Sequence, residues 1–460
     1  MRRTLPVLLL AFAVIGCASL AVPRGDDVIE AVDGYLQEHR YNGAVLIAHR
    51  GEVVLARGYG VAHAATGRPV TTDTIFPIAS ITKPFTALAI SQLHERGLLD
   101  VDDPVSDHIA GFPDGDRITI HHLLTHTSGL PRDLGELIRV PEDATVSAAL
   151  AAYPGVPLAF EPGSAHEYSN IGYYLLSLIV EEVSGQSYEE YLRTAVLEPA
   201  GMVDTGVAVE PLVHPRVATG YRGHADTGEA VAPLHAAWWK GAGGMYSTVE
   251  DLYRWEQALT AGQLLGPDAW REMHMTQSPV SSSSLQRYGY GWFIIEPQQV
   301  VWHSGDLSGH HTWIFRDLGT ELTIVALTND DAWDARGIDL IVLHERSRFL
   351  QDQRIFPAVR YLGMVAGVAG LLSLLVAVAA LARGRRRLSR PGPRRLVVRF
   401  LIPLAIAVPV LVVASQPVRL LGWSALTVTA PAIAWLSISL LGVVALTMAI
   451  AARAFIRPVE

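Results

Sequence analysis

Ser80-Ile81-Thr82-Lys83 places a serine three residues before a lysine at the start of an apolar-periodic segment. Positions i and i+3 share one face of a helix, so Ser80 Oγ and Lys83 Nζ fall within hydrogen-bond reach, as a nucleophile and its base require. The composition sharpens that reading. Of 36 basic residues only two, Lys83 and Lys240, are lysines. Arginine carries the bulk positive charge here and stays protonated, whereas a desolvated lysine gives up its proton and acts as a base.

A serine nucleophile needs more than a base: a second proton carrier, polar groups for the substrate amide and backbone donors for an oxyanion. Tyr168-Ser169-Asn170, after Glu161-Pro162-Gly163, offers a phenol and a carboxamide on one side of an extended segment, in a loop before a helix expected from about Gly172. Val301-Trp302-His303-Ser304-Gly305 ends a strand with an imidazole near a glycine that lets a substrate backbone pack closely. A structural alternative stands beside each: Tyr168 with Asn170 as a helix cap, and His303 as a packed strand histidine. His122 and His126 lie four residues apart, but no third ligand or Glu-x-x-His pattern accompanies them or His121, so neither a metal nor another cofactor is expected. Trp238-Trp239 beside Lys240 are candidates for an acyl pocket or for plain packing.

The elements that must position these residues follow from periodicity. Gly43 to Ala48 and Val53 to Tyr59, split by His49-Arg50-Gly51-Glu52, read as a hairpin. Pro84 falls in the first turn of a helix carrying Phe85, Leu88, Ala89, Leu93 and His94 as far as Gly97. Ser80 therefore sits at a helix N-terminus, where free N–H groups and the macrodipole favour an alkoxide and an oxyanion. Helices are expected at Ile120 to Leu124, Tyr173 to Val183 and Tyr188 to Leu197. Strands follow at Tyr290 to Ile295, Val300 to His303, Thr312 to Phe315 and Leu322 to Leu327, closed by a helix from about Ile338 to Phe349. Two strands alone make no core, so the N- and C-terminal strands must share one antiparallel sheet, with a helical subdomain inserted between them. The fold class is α/β (α+β), with a catalytic domain at 28–352 after a linker at 18–27.

The ends of the chain read as membrane segments. Three apolar runs, 361–382, 396–415 and 430–452, are each long enough to cross a bilayer and predict an all-α membrane region over 358–455. Eight arginines and no acid lie over residues 383–399, around the junction of the first and second runs, which sets that loop and the C-terminus in the cytoplasm and residues 18–357 outside. Met1-Arg2-Arg3, an apolar stretch and Val14-Ile15-Gly16-Cys17 resemble an export signal (1–17) ending in a lipobox, with Cys17 as the lipidated residue; an ordinary signal or an uncleaved anchor is the alternative. Cys17 is the only cysteine, which excludes a disulfide framework. Residues 1–357 carry a formal charge of −20 against +11 for residues 358–460, an acidic body that argues against nucleic acid as a partner.

Ser80-x-x-Lys83, Tyr168-x-Asn170 and His303-x-Gly305, in this order, resemble the three motifs of the serine β-lactamase and penicillin-binding-protein superfamily, in its class C-like, esterase-like branch. Gly97 to Val105, Leu123 to Leu130, Gly241 to Thr248 and Tyr288 to Trp292 match that family's habits, over roughly residues 28 to 350. The resemblance implies a β-lactamase/transpeptidase-like fold, with Ser80 acylated, Lys83 its base, Tyr168 the proton relay and Asn170 a holder of the substrate amide or the lysine. The backbone N–H groups of Ser80 and Asp306 would form the oxyanion hole. Gly305 is kept, while His303 stands where many penicillin-recognising members have lysine, and an imidazole anchors a substrate carboxylate less firmly than an ammonium. No Glu-x-x-Leu-Asn stretch of the class A type occurs, so rapid β-lactam turnover by that route is not supported.

Three functions follow as expectations: a membrane-anchored hydrolase of an ester, a peptide or a D-amino-acid amide; a penicillin-interactive D,D-carboxypeptidase or weak β-lactamase; and a sensor that captures a ligand without turnover. The expected partners are a small-molecule or peptide substrate, of cell-wall type in one reading, and the membrane. Nothing in the sequence sets the oligomeric state.

Overall fold

The computed structural model describes residues 25–133, 157–234, 240–275, 278–279, 286–295 and 299–332. Cys17, Trp238, Trp239, the closing helix near 338–349 and the three apolar runs lie outside the described residues. No helix among the described residues is long and apolar enough to cross a membrane. Residues 31–338 form one compact unit, and the site lies within it.

Helix α1 (Gly25–Glu38) precedes an eight-stranded antiparallel sheet built from both ends of that unit. Its strands are β1 (Gly43–His49), β2 (Glu52–Tyr59), β3 (Ser278–Pro279), β4 (Gln286–Tyr288), β5 (Phe293–Ile295), β6 (Val300–Leu307), β7 (His310–Asp317) and β8 (Leu322–Thr328). They run in the order β3-β4-β5-β6-β7-β8-β1-β2. The shared sheet expected from the sequence is therefore present, joined where Leu46 pairs with Val325. The hairpin turn at Arg50 and Gly51 has positive φ at both residues, 52° and 81°, as a two-residue turn matched to the sheet's twist requires.

The strand expected at Tyr290 to Ile295 is shorter in the structure, beginning at Phe293. Gly289 donates to Trp292 O at 2.8 Å and Gly291 takes a φ of 80°, so the segment turns before it extends. That turn drives Tyr290 and Trp292 into the core. The helix expected at Tyr188 to Leu197 ends at Leu192 and widens into a π turn over Arg193–Leu197.

Helix α2 (Thr82–Glu95) is buried continuously from Thr82 to Leu93. Its apolar stripe stacks Phe85 on Trp255, with ring centroids 4.0 Å apart. Its polar side is equally enclosed, and buried hydroxyls and amides need partners. Thr86 accordingly donates to Gly241 O at 2.7 Å, and Gln92 to Leu264 O at 2.7 Å. Around it lie α3 (Ile120–Leu124), α4 (Asn170–Ser184), α5 (Tyr188–Leu192), α6 (Lys240–Gly243), α7 (Val249–Thr260) and α8 (Pro267–Met273).

Candidate active site

Every residue from Thr74 to Leu93 is buried except Ser80. The chain exposes this one side chain by a sharp turn: Ala79 adopts a φ of 49°, and Ala79–Ile81 form a single 3-10 turn ahead of α2. A left-handed alanine costs on the order of 1–2 kcal/mol and persists only where its surroundings hold it. Here they do. Ile78 donates to Met245 O at 2.9 Å, Thr82 Oγ1 donates to Ala79 O at 2.7 Å, and Thr312 Oγ1 on β7 donates to Ile78 O at 2.9 Å.

Gly305 on β6 explains itself at this turn. A Cβ at 305 would overlap the Ile78 carbonyl and crowd Ala79 Cβ. The close approach that the glycine permits is thus made by the Ser80 turn rather than by a ligand. It also sets Asp306 beside the nucleophile. Asp306 pairs with His311 across the strands, and the His311 N–H donates to Thr328 Oγ1 on β8. The Asp306 N–H therefore points away from β7.

Lys83 is 0% exposed, and its Nζ has three neighbours: Ser80 Oγ at 3.1 Å, Asn170 Oδ1 at 2.7 Å and Ala242 O at 2.7 Å. Burial holds the amine well below its ordinary pKa; Asp133 pushes it partly back up and Arg132 pushes it down. A neutral amine has two N–H groups and one lone pair. In that form the two short contacts would take the N–H groups, and the lone pair would be left to the Ser80 hydroxyl.

Tyr168 and Asn170 converge on the same amine. The Tyr168 ring lies 4.7 Å from Nζ, and its phenol is pushed up by burial, with Ser80 drawing it partly back down. Asn170 is the first residue of α4, two residues earlier than the helix expected from Gly172, because Ser169 caps the helix by accepting from Gly172 N at 3.2 Å. Asn170 Nδ2 donates to Asp133 Oδ1 at 2.7 Å.

His303 is buried beneath this group. Its Nδ1 donates to Ser304 O at 2.6 Å and its Nε2 accepts from Tyr288 OH at 3.1 Å. Burial, with Lys83 nearby, lowers its pKa to about 3. The ring is neutral and both nitrogens are engaged inside the fold, so in this arrangement neither is offered to a substrate carboxylate.

His121, His122 and His126 each hold structure. His121 Nδ1 meets Tyr290 OH at 2.9 Å. His122 completes a capping box with Thr119. His126, at a φ of 57°, accepts from Ser169 N through Nδ1 at 3.1 Å and from Glu167 N through its carbonyl at 2.9 Å, and its ring lies 4.3 Å from that of Tyr168. It thereby fixes the loop that carries the phenol. No group of three or more His, Cys, Asp or Glu placed to hold a metal occurs among the described residues. Lys240, the other lysine, pairs with Glu181 at 2.9 Å.

Sequence reasoning had no signal for Asp133, for the Ala242 carbonyl or for Thr312. A backbone acceptor carries no residue identity, and a single aspartate in a loop resembles any other.

Residues 28–345 match the family model described as Beta-lactamase. The chain belongs to the β-lactamase family. It is a serine hydrolase of that fold. A penicillin-binding protein of Bacillus subtilis (strain 168) is 32% identical over 321 residues, 64% of this chain and 69% of that protein. Among solved structures, a penicillin-binding protein from Bacillus halodurans superposes with a TM-score of 0.61 at 28% identity, covering 68% of this chain and 98% of that one. The D-amino acid amidase from Ochrobactrum anthropi SV3, complexed with L-phenylalanine amide, gives 0.60 at 25% identity, covering 71% and 99%.

Proposed function

We propose that this member of the family hydrolyses an ester, a peptide or a D-amino-acid amide outside the cytoplasm, through an acyl-enzyme on Ser80. The observation that carries the proposal is the fully buried Lys83, with its N–H groups committed to Asn170 Oδ1 and Ala242 O and its third direction given to Ser80 Oγ. Lys83 takes the hydroxyl proton as Oγ attacks the carbonyl carbon. The Ser80 and Asp306 N–H groups receive the developing oxyanion. Tyr168, whose phenol is influenced by Ser80, relays the proton taken up by Lys83 to the leaving group and then orients the water that releases the acid.

The neutral, engaged His303 favours esters and amides over a penicillin carboxylate, and the amidase among similar structures supports an amide of a D-amino acid. Penicillin-interactive carboxypeptidase or weak β-lactamase activity is the second reading, supported by the penicillin-binding relatives. The proposed location, with three membrane spans and a lipidated Cys17, rests on the apolar runs and the arginine-rich loop. Palmitate labelling that is lost in Cys17→Ser tests the lipid.

Detergent-solubilised full chain treated with a fluorophosphonate and with a fluorescent penicillin tests the chemistry. Labelling by the first with turnover of ester or D-amino-acid amide substrates is expected, and Ser80→Ala should abolish both. Stronger labelling by penicillin shifts the function to the second reading. Labelling without turnover of any library member favours the sensor.

A further inference from the structure

Asp133 lies in the loop after α3, 3.5 Å from the guanidinium of its neighbour Arg132, and its side chain is 29% exposed, so packing alone does not account for it. Its partners are informative. Asn170 Nδ2 donates to Asp133 Oδ1 at 2.7 Å, while the other end of the same amide, Oδ1, accepts from Lys83 Nζ at 2.7 Å. The two ends of a carboxamide have nearly the same shape but opposite polarity. If Asn170 were reversed, its NH2 would donate to the lysine nitrogen and occupy the lone pair that the base needs.

An ionised carboxylate only accepts hydrogen bonds, and so does the Ala242 carbonyl on the opposite side of the amine. Together they permit one polarity: Asp133 takes the NH2, the amide oxygen faces Lys83, both amine N–H groups are used, and the lone pair is directed at Ser80 Oγ.

We propose that Asp133 is a positioning residue for the base, fixing the Asn170 amide so that neutral Lys83 presents its lone pair to Ser80. The proposal rests on the reading of Lys83 as the base of Ser80. Asp133 also acts through its charge. It stabilises the protonated amine against burial and against Arg132, and thereby sets the pH at which the base becomes available. The other groups facing the amine are the Tyr168 and Tyr173 rings, 4.7 and 5.6 Å away, with His126 and His303 beyond them held neutral by burial.

The test is the pH profile of Ser80 acylation by a fluorophosphonate in Asp133→Asn, Asp133→Ala, Asp133→Glu, Asn170→Ala and the Asp133→Ala/Asn170→Ala double variant of the full chain. Removing the negative charge lowers the Lys83 pKa, so the acidic limb should move to lower pH in the Asn and Ala variants. The plateau rate should fall by about tenfold to a hundredfold in Asp133→Ala, within the range a positioned base contributes, and recover in Asp133→Glu. Because Asp133 acts through Asn170, the double variant should be no slower than Asn170→Ala alone. An unmoved acidic limb in folded Asp133→Asn, or additive losses in the double variant, overturns the proposal. Wild-type acylation by Lys83→Arg would instead overturn the base assignment itself, whatever Asp133 does.

Discussion

Among the described residues two long basic side chains are completely buried, Lys83 in the site and Arg316 on β7, and their surroundings differ. Arg316 is 1% exposed and meets a carboxylate directly, donating through Nη2 to Glu256 Oε1 at 3.0 Å and to Thr260 Oγ1 at 2.9 Å on α7. Burial lowers the guanidinium pKa, yet arginine does not lose its proton in proteins, so the pair remains an ion pair that ties the sheet to its helix. Lys83 has only neutral oxygens in contact, and the nearest carboxylate, Asp133, reaches it through Asn170. Burial without a bonded counter-ion turns a lysine into a base, whereas burial with one turns an arginine into a structural strut.

The largest expected effect comes from erasing that distinction. Lys83→Arg puts a side chain that stays protonated in place of the base, and acylation should fall by about 10³- to 10⁴-fold in stopped-flow or quench measurements. A rate near that of the wild type would refute the comparison. In the structural pair, Glu256→Ala leaves Arg316 buried and unpaired, and equilibrium unfolding should show a loss of about 3–5 kcal/mol. The shape of the acylation pH profile should stay as it was; a shifted profile would mean that the two side chains are coupled.

The neutral histidine beneath the site sharpens the comparison through pH. The His303 pKa falls from 6.5 to about 3 on folding, so between those values the unfolded state binds the proton and the folded state does not. Stability from this group is intact above pH 6.5 and is lost as pH falls, roughly 3 kcal/mol by pH 4 at about 1.4 kcal/mol per unit. His303→Gln cannot titrate and should flatten that limb of the stability curve; an unchanged acid slope would show that the ring is not held neutral. The smallest effect is expected at the turn. Thr312→Val removes the hydroxyl bonded to Ile78 O, and should cost about 1 kcal/mol with acylation slowed several-fold.

Much of this architecture was legible in the sequence because it depends on residue identity and period. The Arg50-Gly51 turn, the Pro84 first turn and the alternating strands at 300–328 each announce themselves. Ser80, Lys83, Tyr168 and Asn170 come together in space as their order suggested. What stayed hidden depends on tertiary placement. The periodicity of α2 says nothing of its polar side, which is enclosed and satisfied by the Gly241 and Leu264 carbonyls. Gly305 reads as room for a ligand until the Ser80 turn is found there. His303 reads as an anchor until Tyr288 and Ser304 are found bonded to it. Asp133 acquires meaning only from the polarity of an amide 37 residues away.

The central claim is that a neutral, buried Lys83 activates Ser80. Mass spectrometry of the full chain after timed reaction with a fluorophosphonate, repeated across pH, tests it most directly. The account predicts one adduct, on the peptide containing Ser80, forming at a rate that rises through a pKa far below the ordinary lysine value and vanishing in Ser80→Ala. An adduct on another residue, or a rate that climbs only as pH approaches 10.5, would contradict it.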